Sequence, residues 1–532
     1  MIKLKINEDA LKKLSASSSE VLWIYNGLDN IVTRELYSLL DAKLEDEDTR
    51  VTYEFERSML GPALQMQMNG FRVDEEMATA LKKELEELHL LLGGMRKNEK
   101  GRYVVVDEGA LLQELAIAFW EKPLNFNSNK QLKEFFYDAL RIPPYHKIDR
   151  GQRKVSTARE VLEKMEKAYP RAAPFCKIIL RLRDIEKQLQ VIEAKRDADG
   201  RMRTAFNVAG TETGRWSSKE SHFWNGMNLQ NVTKKLRAMF IPDPGYTMFY
   251  ADLKTAESIA VGYLSEDEKY IEACLSGDIH THVSKLVWPT DLSWTGDLDQ
   301  DKELAEQLYY RTYSRRYLSK RGGHGTNYRG TPRTIAAQIR SEEKVIHVFQ
   351  AKYMGGTLDT ASVRRWGYFD LFHYPGVEEI DGFVPFRGMM RKTKLLKFEG
   401  AFPGIREWHD KTDQEVQSTE CLTTPFGRKR HFWGRLNDDA TLREATAYVP
   451  QSIVADYLNI GLFRVWKHLQ KEGLILLANG HDAIVGMVPT GTEEYFEKRI
   501  KEIMEFDVPV NGRLMRIPAD VTFSKNNWEE CS

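Results

Sequence analysis

The sequence has few cysteines, and it lacks both long apolar runs and repeats. Four cysteines occur among 532 residues. They lie far apart, with no Cys-x-x-Cys pair and no Cys/His metal spacing, which argues against a disulfide framework and a zinc site. No apolar run is long enough to span a membrane. The opening residues, MIKLKINEDALKKLS, have no apolar signal core. These absences predict a cytoplasmic protein with reduced cysteines and no membrane partner.

The chain also has little net charge. Its 77 basic and 78 acidic residues give a charge of −1 at pH 7. The cations are nevertheless concentrated in segments such as KKLRAMF, RTYSRRYLSKR and GRKRHFWGR. Basic grooves on a neutral body suit a protein that binds phosphates along one path. Most charge runs are solvated helix faces, so composition alone leaves two interpretations open, nucleic-acid binding and solvated helix faces.

The length suggests three or four domains, and the first 200 residues have mostly helical patterns. Asp74 is placed to cap a long helix that Gly93 and Gly94 would end. An Ile/Leu stripe over 175–195 predicts an amphipathic helix. Two further helices are predicted to begin at capping boxes, namely Ser128-x-x-Gln131 and Thr157-x-x-Glu160.

The pattern changes after Gly200. YTMFYADL is a β-rich run that ends near an acid, and LILLANGHDAIVGMV has two apolar runs around a turn, which predicts a hairpin. A helical block over 266–414 separates them. Within this block the aromatic stretch WGYFDLFHYPGVEEIDGFVPF is interpreted as a long loop or insertion.

Asp252 and Asp482 are the acids carried by these two strand regions. A carboxylate at the end of a buried strand is costly unless it is paired or binds a cation. Magnesium prefers a few carboxylates together with substrate phosphates and water, and two such ions can promote an in-line displacement. Either acid alone is more often an ordinary turn residue, so the pair needs support from other features.

That support comes from RRYLSKRGGHGTNYRG, in which Arg316, Lys320, His324 and Tyr328 are four residues apart. A helix would align them on one face. A guanidinium followed by an ammonium can bind a triphosphate, and the imidazole and phenol can lie against a sugar or base. Because the segment's glycines disfavour a helix, a Gly-rich basic loop is the alternative. No GxxxxGK[ST] sequence supports a Walker site.

Together these motifs resemble those of the family A DNA polymerases, which are related to bacterial DNA polymerase I, and specifically those of the bacteriophage type. Motif A is matched by Asp252 and Glu257 in DLKTAE. Motif B is matched by Arg316, Lys320, His324 and Tyr328, which are called the basic ladder below. Motif C is matched by His481 and Asp482. Further segments match in family order: TGRWSS, NLQN, GDIHTH, TPFGRKR, REATAYVPQ and NNWEE.

The resemblance implies an α+β fold with the architecture of a right hand. It has a helical thumb, helical fingers and an antiparallel-sheet palm. The expected divisions are a short N-terminal helical segment (1–60), the thumb (61–200), the first part of the palm (201–265), the fingers (266–414) and the second part of the palm (415–532).

It also implies DNA-directed DNA synthesis, in which dNTPs are added to a primer 3′-hydroxyl with two Mg²⁺ ions, for which Mn²⁺ is a possible substitute. Asp252 and Asp482 would bind the metals, and Lys320 would join them as a catalytic residue. The expected dNTP-binding residues are Arg316, Lys320, His324, Tyr328, His280 and Glu257, the last excluding ribonucleotides. The expected primer–template residues are Arg215, Asn228, Gln230, Arg428, Arg443, Gln451 and His481.

Two departures from the family pattern matter. Ala483 stands where the family has a second motif C carboxylate, so we expect two protein carboxylates at the metal site. Of the family's exonuclease motifs only a YxxxD match is present, at Tyr25 and Asp29. We therefore expect no intrinsic proofreading. A separate exonuclease or processivity factor is a possible partner, and a phage-infected bacterial cell is the expected setting.

Three alternatives stay open at this point. A single-subunit RNA polymerase would share the Arg/Lys/Tyr helix, but Glu257 would obstruct a ribose 2′-hydroxyl. A nuclease would use the same two-metal chemistry, but it would have no use for a triphosphate-binding helix. A catalytically weakened DNA-binding replication accessory protein would explain Ala483, although it would not explain intact Asp252, Lys320 and Asp482.

Overall fold

The computed structural model describes most of the chain, namely residues 18–98, 102–149, 152–221, 226–290, 292–310, 313–339, 341–386, 388–480 and 482–532. It divides into two compact units. The first unit comprises the described part of Met1–Leu60, together with Glu257–Ile453 and Val508–Met515. The second comprises Gly61–Ala256, Val454–Asp507 and Arg516–Ser532. The division into thumb, palm and fingers stays a prediction.

Helices dominate the described residues. In chain order the α-helices are α1 (Ser18–Asp46), α2 (Arg50–Ser58), α3 (Leu60–Asn69), α4 (Glu75–Gly93), α5 (Leu111–Trp120), α6 (Asn129–Lys133), α7 (Arg159–Ala168), α8 (Ala173–Glu193), α9 (Ala256–Ser265), α10 (Glu268–Leu275), α11 (Ile279–Val287), α12 (Leu298–Glu306), α13 (Arg315–Asn327), α14 (Pro332–Ile339), α15 (Glu343–Met354), α16 (Thr360–Trp366), α17 (Pro403–Thr419), α18 (Asp439–Leu469) and α19 (Glu493–Met504). None of those searched, all within the described ranges, is long and apolar enough to cross a membrane.

The strands are mostly short and pair antiparallel. In chain order they are β1 (Phe71–Val73), β2 (Met95–Lys97), β3 (Tyr103–Val105), β4 (His146–Asp149), β5 (Gln152–Val155), β6 (Arg201–Met202), β7 (Ala205–Asn207), β8 (Ser217–Lys219), β9 (Phe240–Ile241), β10 (Tyr246–Leu253), β11 (Leu308–Tyr310), β12 (Tyr313–Ser314), β13 (Gly356–Asp359), β14 (Val377–Phe386), β15 (Met389–Phe398), β16 (Cys421–Thr423), β17 (Lys429–His431), β18 (Ile475–Gly480), β19 (Ala483–Pro489), β20 (Val508–Val510), β21 (Arg513–Met515) and β22 (Ala519–Ser524).

The second unit contains a four-stranded antiparallel sheet in the order β18-β19-β10-β22. Both strand predictions are confirmed, because YTMFYADL forms β10 and the two later apolar runs form the hairpin of β18 and β19. β19 is buried along almost its whole length. The sheet therefore holds the residues at the ends of its strands on a rigid, packed support, which is what precise positioning of a functional group requires.

The same unit has a helical part whose core is rich in aromatic side chains. Phe135, Phe136 and Phe175 are almost completely buried in one cluster. The long helix predicted after Asp74 is confirmed as α4, since the Asp74 carboxylate accepts from two backbone N–H groups and Gly94 ends the helix in the left-handed conformation. The amphipathic helix predicted over 175–195 is confirmed as α8.

One predicted capping box forms in part and the other is absent. Ser128 caps α6, but Gln131 accepts its hydrogen bond from the N–H of Asn125 instead of closing the box. The box at Thr157 is wrong. Helix α7 begins after Ala158, which has no capping side chain, and the Thr157 hydroxyl instead donates to Asn129 at 3.5 Å.

The first unit is built around α13, whose glycines allow neighbouring helices to approach. A Cβ on Gly322 would lie 2.9 Å from the Phe349 ring of α15. A Cβ on Gly325 would lie 2.8 Å from Ile335 of α14. The helical alternative predicted for this segment is therefore confirmed, because close packing offsets the poor helix propensity of glycine.

The loop interpretation of 366–386 is wrong. After a short 3₁₀ helix at Phe369–His373, the chain forms β14, which pairs with β15 over ten positions in the three-stranded sheet β13-β15-β14. Much of the hairpin is exposed, and polar pairs such as Asp381–Lys394 (3.1 Å) lie across it. Because neither face is continuously buried, the sequence shows no apolar alternation that would have predicted a strand.

Candidate functional site

Asp252 and Asp482 are brought together at one end of the strands of the four-stranded sheet. Asp252 lies near the end of β10, and Asp482 lies in the turn between β18 and β19. The backbone N–H of Leu253 donates to the carbonyl of Asp482 at 3.1 Å, which fixes the two chain segments side by side. Both acids line a cavity of about 220 Å³, together with Gln230, Asn479, Tyr250, Trp528, Arg237, Leu229, Ala478 and Gly480.

The electrostatics around Asp252 and Asp482 favour a bound cation. Burial, followed by repulsion from Asp482 and Asp520, raises the pKa of Asp252 to about 6. Asp520 lies opposite Asp252 on β22 and forms an ion pair with Lys254 at 3.4 Å. A bound divalent ion would offset both the burial and the repulsion that raise the pKa of Asp252. The residues present therefore fit a metal ion.

The number of available ligands is small. Within the described ranges, no group of three or more His, Cys, Asp and Glu side chains is arranged to hold a metal. Ala483, which lies beside Asp482, is fully buried and pairs with Asp252. Two carboxylates are enough for Mg²⁺, which commonly keeps several waters and completes its shell with substrate phosphates. His481, predicted to contact DNA, lies outside the described residues.

Three residues predicted to contact the primer–template lie around these acids in the second unit. Arg215 donates through Nη2 to Asp482 at 3.4 Å. Gln230 is buried and donates to the carbonyl of Asn479 at 3.1 Å. Asn228 accepts from the N–H of Gln230 and from the Ser218 hydroxyl. These bonds order the segment that follows TGRWSS beside the carboxylates.

The basic ladder lies on α13 in the first unit. Arg316, Lys320 and His324 are spaced at one turn along the helix, and Tyr328 is its C-terminal capping residue. Lys320 and His324 are exposed, and the His324 and Tyr328 rings are 5.0 Å apart. The predicted alignment on one face is therefore confirmed. A row of cationic and flat polar groups along one helix can bind an extended anion.

Arg316 is held by two carboxylates. Its Nε donates to Asp278 at 3.0 Å and its Nη2 donates to the same carboxylate at 3.3 Å. Its Nη1 donates to Glu306 at 2.9 Å. Asp278 also caps α11, the helix that carries His280. Burial lowers the pKa of His280 to about 4, because together with the nearby cations Arg316 and Lys320 it outweighs the opposing effect of Asp278. This imidazole is therefore neutral at pH 7.

Glu257 and Tyr328 form a direct contact in the first unit. The Tyr328 hydroxyl donates to Oε2 of Glu257 at 3.0 Å. Glu257 lies in the first turn of α9, and Tyr328 is fixed by the end of α13. The hydrogen bond thus holds a carboxylate beside the aromatic end of the ladder.

The other predicted DNA contacts are on the first unit as well. Arg443 and Gln451 lie on α18, where Arg443 is exposed. Arg428 is buried, and its Nη1 donates to Glu56 of α2 at 2.5 Å. A contact between Arg428 and DNA would require this partner to be exchanged.

Sequence reasoning missed several residues of these sites. Asp278 stands in the GDIHTH segment, in which the sequence predicts only His280 as a site residue. Arg237 belongs to the basic segment KKLRAMF, and its guanidinium lies 4.8 Å from the centre of the Trp528 ring in the cavity beside Asp252. Because Lys234 and Lys235 stand close by in the sequence, no local pattern distinguishes Arg237 as the residue that lines the cavity.

Known proteins resemble this chain over most of its length. The sequence profile of DNA polymerase family A matches residues 104–297 and 391–530. The thermostable DNA polymerase I of Thermus filiformis is 22% identical over 494 residues, covering 90% of this chain and 49% of the relative. DNA polymerase I of Caldicellulosiruptor bescii is 22% identical over 515 residues, covering 94% and 50%. The chain thus spans about half the length of these curated relatives.

A solved structure has a similar fold. It is the polymerase domain of Pol1 from M. smegmatis, in complex with a DNA primer–template and dNTP. The TM-score is 0.66 at 20% sequence identity, and the match covers 93% of this chain and 74% of the other. The chain therefore has a family A polymerase-domain fold of mixed helices and antiparallel sheets.

Proposed function

Because this chain belongs to DNA polymerase family A, we propose that it is a DNA-directed DNA polymerase that adds dNTPs to a primer 3′-hydroxyl. The observation that carries the proposal is the pair of carboxylates, Asp252 and Asp482, fixed side by side where burial and mutual repulsion favour a bound cation. A strand end and a tight turn hold both groups in place before substrate arrives, which is what electrostatic catalysis requires.

Asp252 and Asp482 would hold two Mg²⁺ ions, with Mn²⁺ as a possible substitute. When bound, the metal supplies the positive charge that activates the attacking hydroxyl and stabilises the leaving pyrophosphate. The protein's part is to hold the two carboxylates close together. Arg215 contributes to this, since its Nη2 donates to Asp482 at 3.4 Å.

The triphosphate would bind to Arg316, Lys320 and His280. The two cations lie one helical turn apart on α13, so they can contact successive phosphates. The neutral imidazole of His280 can donate one hydrogen bond without adding charge. His324 and Tyr328 would then lie against the sugar and base of the incoming nucleotide.

Glu257 would exclude ribonucleotides by occupying the space of a 2′-hydroxyl. The hydrogen bond from Tyr328 supports this role, because it restrains the carboxylate in one position. A restrained group rejects an extra hydroxyl more effectively than a mobile one, since it has fewer alternative positions. This observation favours DNA synthesis over the alternative of a single-subunit RNA polymerase.

Primer–template contacts are proposed for Arg215, Asn228, Gln230, Arg428, Arg443, Gln451 and His481. The helical segment 61–200 would hold the duplex. Three expectations stay predictions. They are that the chain has no intrinsic proofreading, that it has a separate exonuclease or processivity partner, and that it is of bacteriophage origin. The alternative of a weakened accessory protein would require the two carboxylates to have no catalytic use.

The function is tested by extension of one labelled primer on a template, with and without dNTPs and Mg²⁺. The proposal predicts products that lengthen only when both are present. Primer that shortens in the absence of dNTPs would refute the prediction about proofreading. Extension with ribonucleotides in preference to dNTPs would favour the RNA polymerase alternative.

A further inference from the structure

Arg316 is bound by two carboxylates that differ in burial and in their other partners. Asp278 is 13% exposed in its side chain, whereas Glu306 is 50% exposed. Each accepts from a different part of the guanidinium, so Nε and Nη2 face Asp278 while Nη1 faces Glu306. The more exposed Glu306 should therefore be displaced from Arg316 by another anion more easily than the buried Asp278.

Asp278 is fixed in place by many bonds. It accepts from the backbone N–H groups of His280 and Thr281 and from the Thr281 hydroxyl, besides its two bonds from Arg316. Burial would raise the pKa of Asp278, but hydrogen bonds from Arg316 and Thr281 outweigh it and lower the pKa. This carboxylate joins the cap of α11 to the side chain of α13, and it orients Arg316 and the His280 helix together.

Glu306 is held much more weakly. It is the last residue of α12, and besides Arg316 it accepts from the Ser314 hydroxyl at 3.0 Å. Ser314 is the N-cap of α13, so its hydroxyl also serves the N–H of Tyr317. An ion pair with a half-exposed partner contributes little, because water screens it and side-chain entropy opposes it. Glu306 is the partner that can be displaced.

We propose that Glu306 is a stand-in anion that competes with the nucleotide triphosphate for Nη1 of Arg316, while Asp278 keeps the guanidinium positioned for the exchange. This inference rests on the proposed function, since it assigns the triphosphate to Arg316. Asp278 and Glu306 are positioning residues with opposite effects: one prepares the cation for substrate and the other weakens substrate binding.

The two acids can be tested with conservative amide variants. Asp278→Asn removes the charge but keeps a side chain that caps helices well, so α11 should remain folded. Glu306→Gln removes the competing charge. Glu303→Gln is the matched control, because Glu303 is exposed on the same helix and loses the same charge. Thermal unfolding of each variant checks that it is folded.

Two quantities are measured with Mg²⁺ and primer–template. The first is kcat and KM for dNTP in extension. The second is the equilibrium affinity for dNTP of the complex with a chain-terminated primer, where no reaction occurs. We expect Glu306→Gln to lower KM and Kd by about two- to five-fold, with kcat little changed. We expect Asp278→Asn to raise both by about tenfold or more, and Glu303→Gln to leave both unchanged.

The opposite signs separate this inference from a merely structural role, since a structural defect would weaken dNTP binding in both variants. Unchanged or weaker binding in Glu306→Gln would overturn the inference, as would equal tightening in Glu303→Gln. Failure of the wild-type chain to extend any primer would instead refute the proposed function, and the inference with it.

Discussion

Asp252 pairs directly with Ala483 across the antiparallel strands β10 and β19, so that the two side chains lie on the same face of the sheet. The position beside Asp482 that faces Asp252 therefore holds a methyl group, and this methyl group is fully buried. On the other side of Asp252, the paired residue is Asp520. The carboxylate charge around Asp252 is thus supplied by Asp482 and Asp520.

This arrangement predicts how stability depends on pH in the absence of metal. The pKa of Asp252 is raised above its ordinary value to about 6, so the folded protein binds this proton more tightly than the unfolded chain does. The resulting stability is fully present below about pH 4 and is lost as the pH rises through about 6. Asp252→Asn should therefore stabilise the metal-free protein at pH 8, by up to about 3 kcal/mol.

Urea unfolding in EDTA at several pH values measures this effect. The gain from Asp252→Asn should shrink as the pH falls towards 4. Asp507→Asn is the control, because Arg516 lowers the pKa of Asp507 and its loss should not stabilise the protein. If Asp252→Asn destabilised the metal-free protein at pH 8, the raised pKa of Asp252 and its assigned causes, burial and repulsion, would be wrong.

A second prediction concerns sugar selectivity. Glu257→Ala should reduce discrimination against ribonucleotides by about 10- to 100-fold, because it opens space for a 2′-hydroxyl. Tyr328→Phe keeps the carboxylate and removes only its 3.0 Å hydrogen bond, so it should have a smaller effect in the same direction. Competition between dNTP and rNTP in single-nucleotide extension measures both. Unchanged selectivity in Glu257→Ala would remove this role from Glu257.

The glycines of α13 give a third prediction. Gly322→Ala and Gly325→Ala should each destabilise the protein by about 1–3 kcal/mol, since the added Cβ would meet Phe349 at 2.9 Å or Ile335 at 2.8 Å. Gly323→Ala is the matched control. Its nearest neighbour is the Tyr353 hydroxyl at an ordinary 3.4 Å, so it should be neutral or stabilising by up to about 1 kcal/mol. Equal effects at all three positions would contradict the packing argument.

Local patterns were sufficient to predict the elements that carry the principal site residues. Apolar runs and a turn predicted β10 and the β18–β19 hairpin, and four-residue spacing predicted the face of α13. Asp74 and Gly94 predicted both ends of α4 by capping chemistry alone. These features depend on residues that are close in sequence, so the sequence contains the information needed.

The features that could not be predicted depend on partners distant in sequence. Thr157 looked like a helix cap, but its hydroxyl bonds to Asn129. The Arg316 ion pairs join α13 to the N-cap of α11 and to the last residue of α12, and no local pattern indicates that either acid would meet this arginine. The hairpin of β14 and β15 was missed because exposed strands need no apolar alternation. In each case, tertiary contact decided the outcome.

Mg²⁺-dependent primer extension with the wild-type chain, Asp252→Asn and Asp482→Asn is the most direct test of the proposed metal site. We predict that the wild-type chain extends a labelled primer with dNTPs. Each variant should lose at least about 10²–10³-fold in rate, the typical effect of removing one group that stabilises transition-state charge, while it still binds primer–template. Extension at near wild-type rates by either variant would contradict the claim that these two carboxylates form the catalytic metal site.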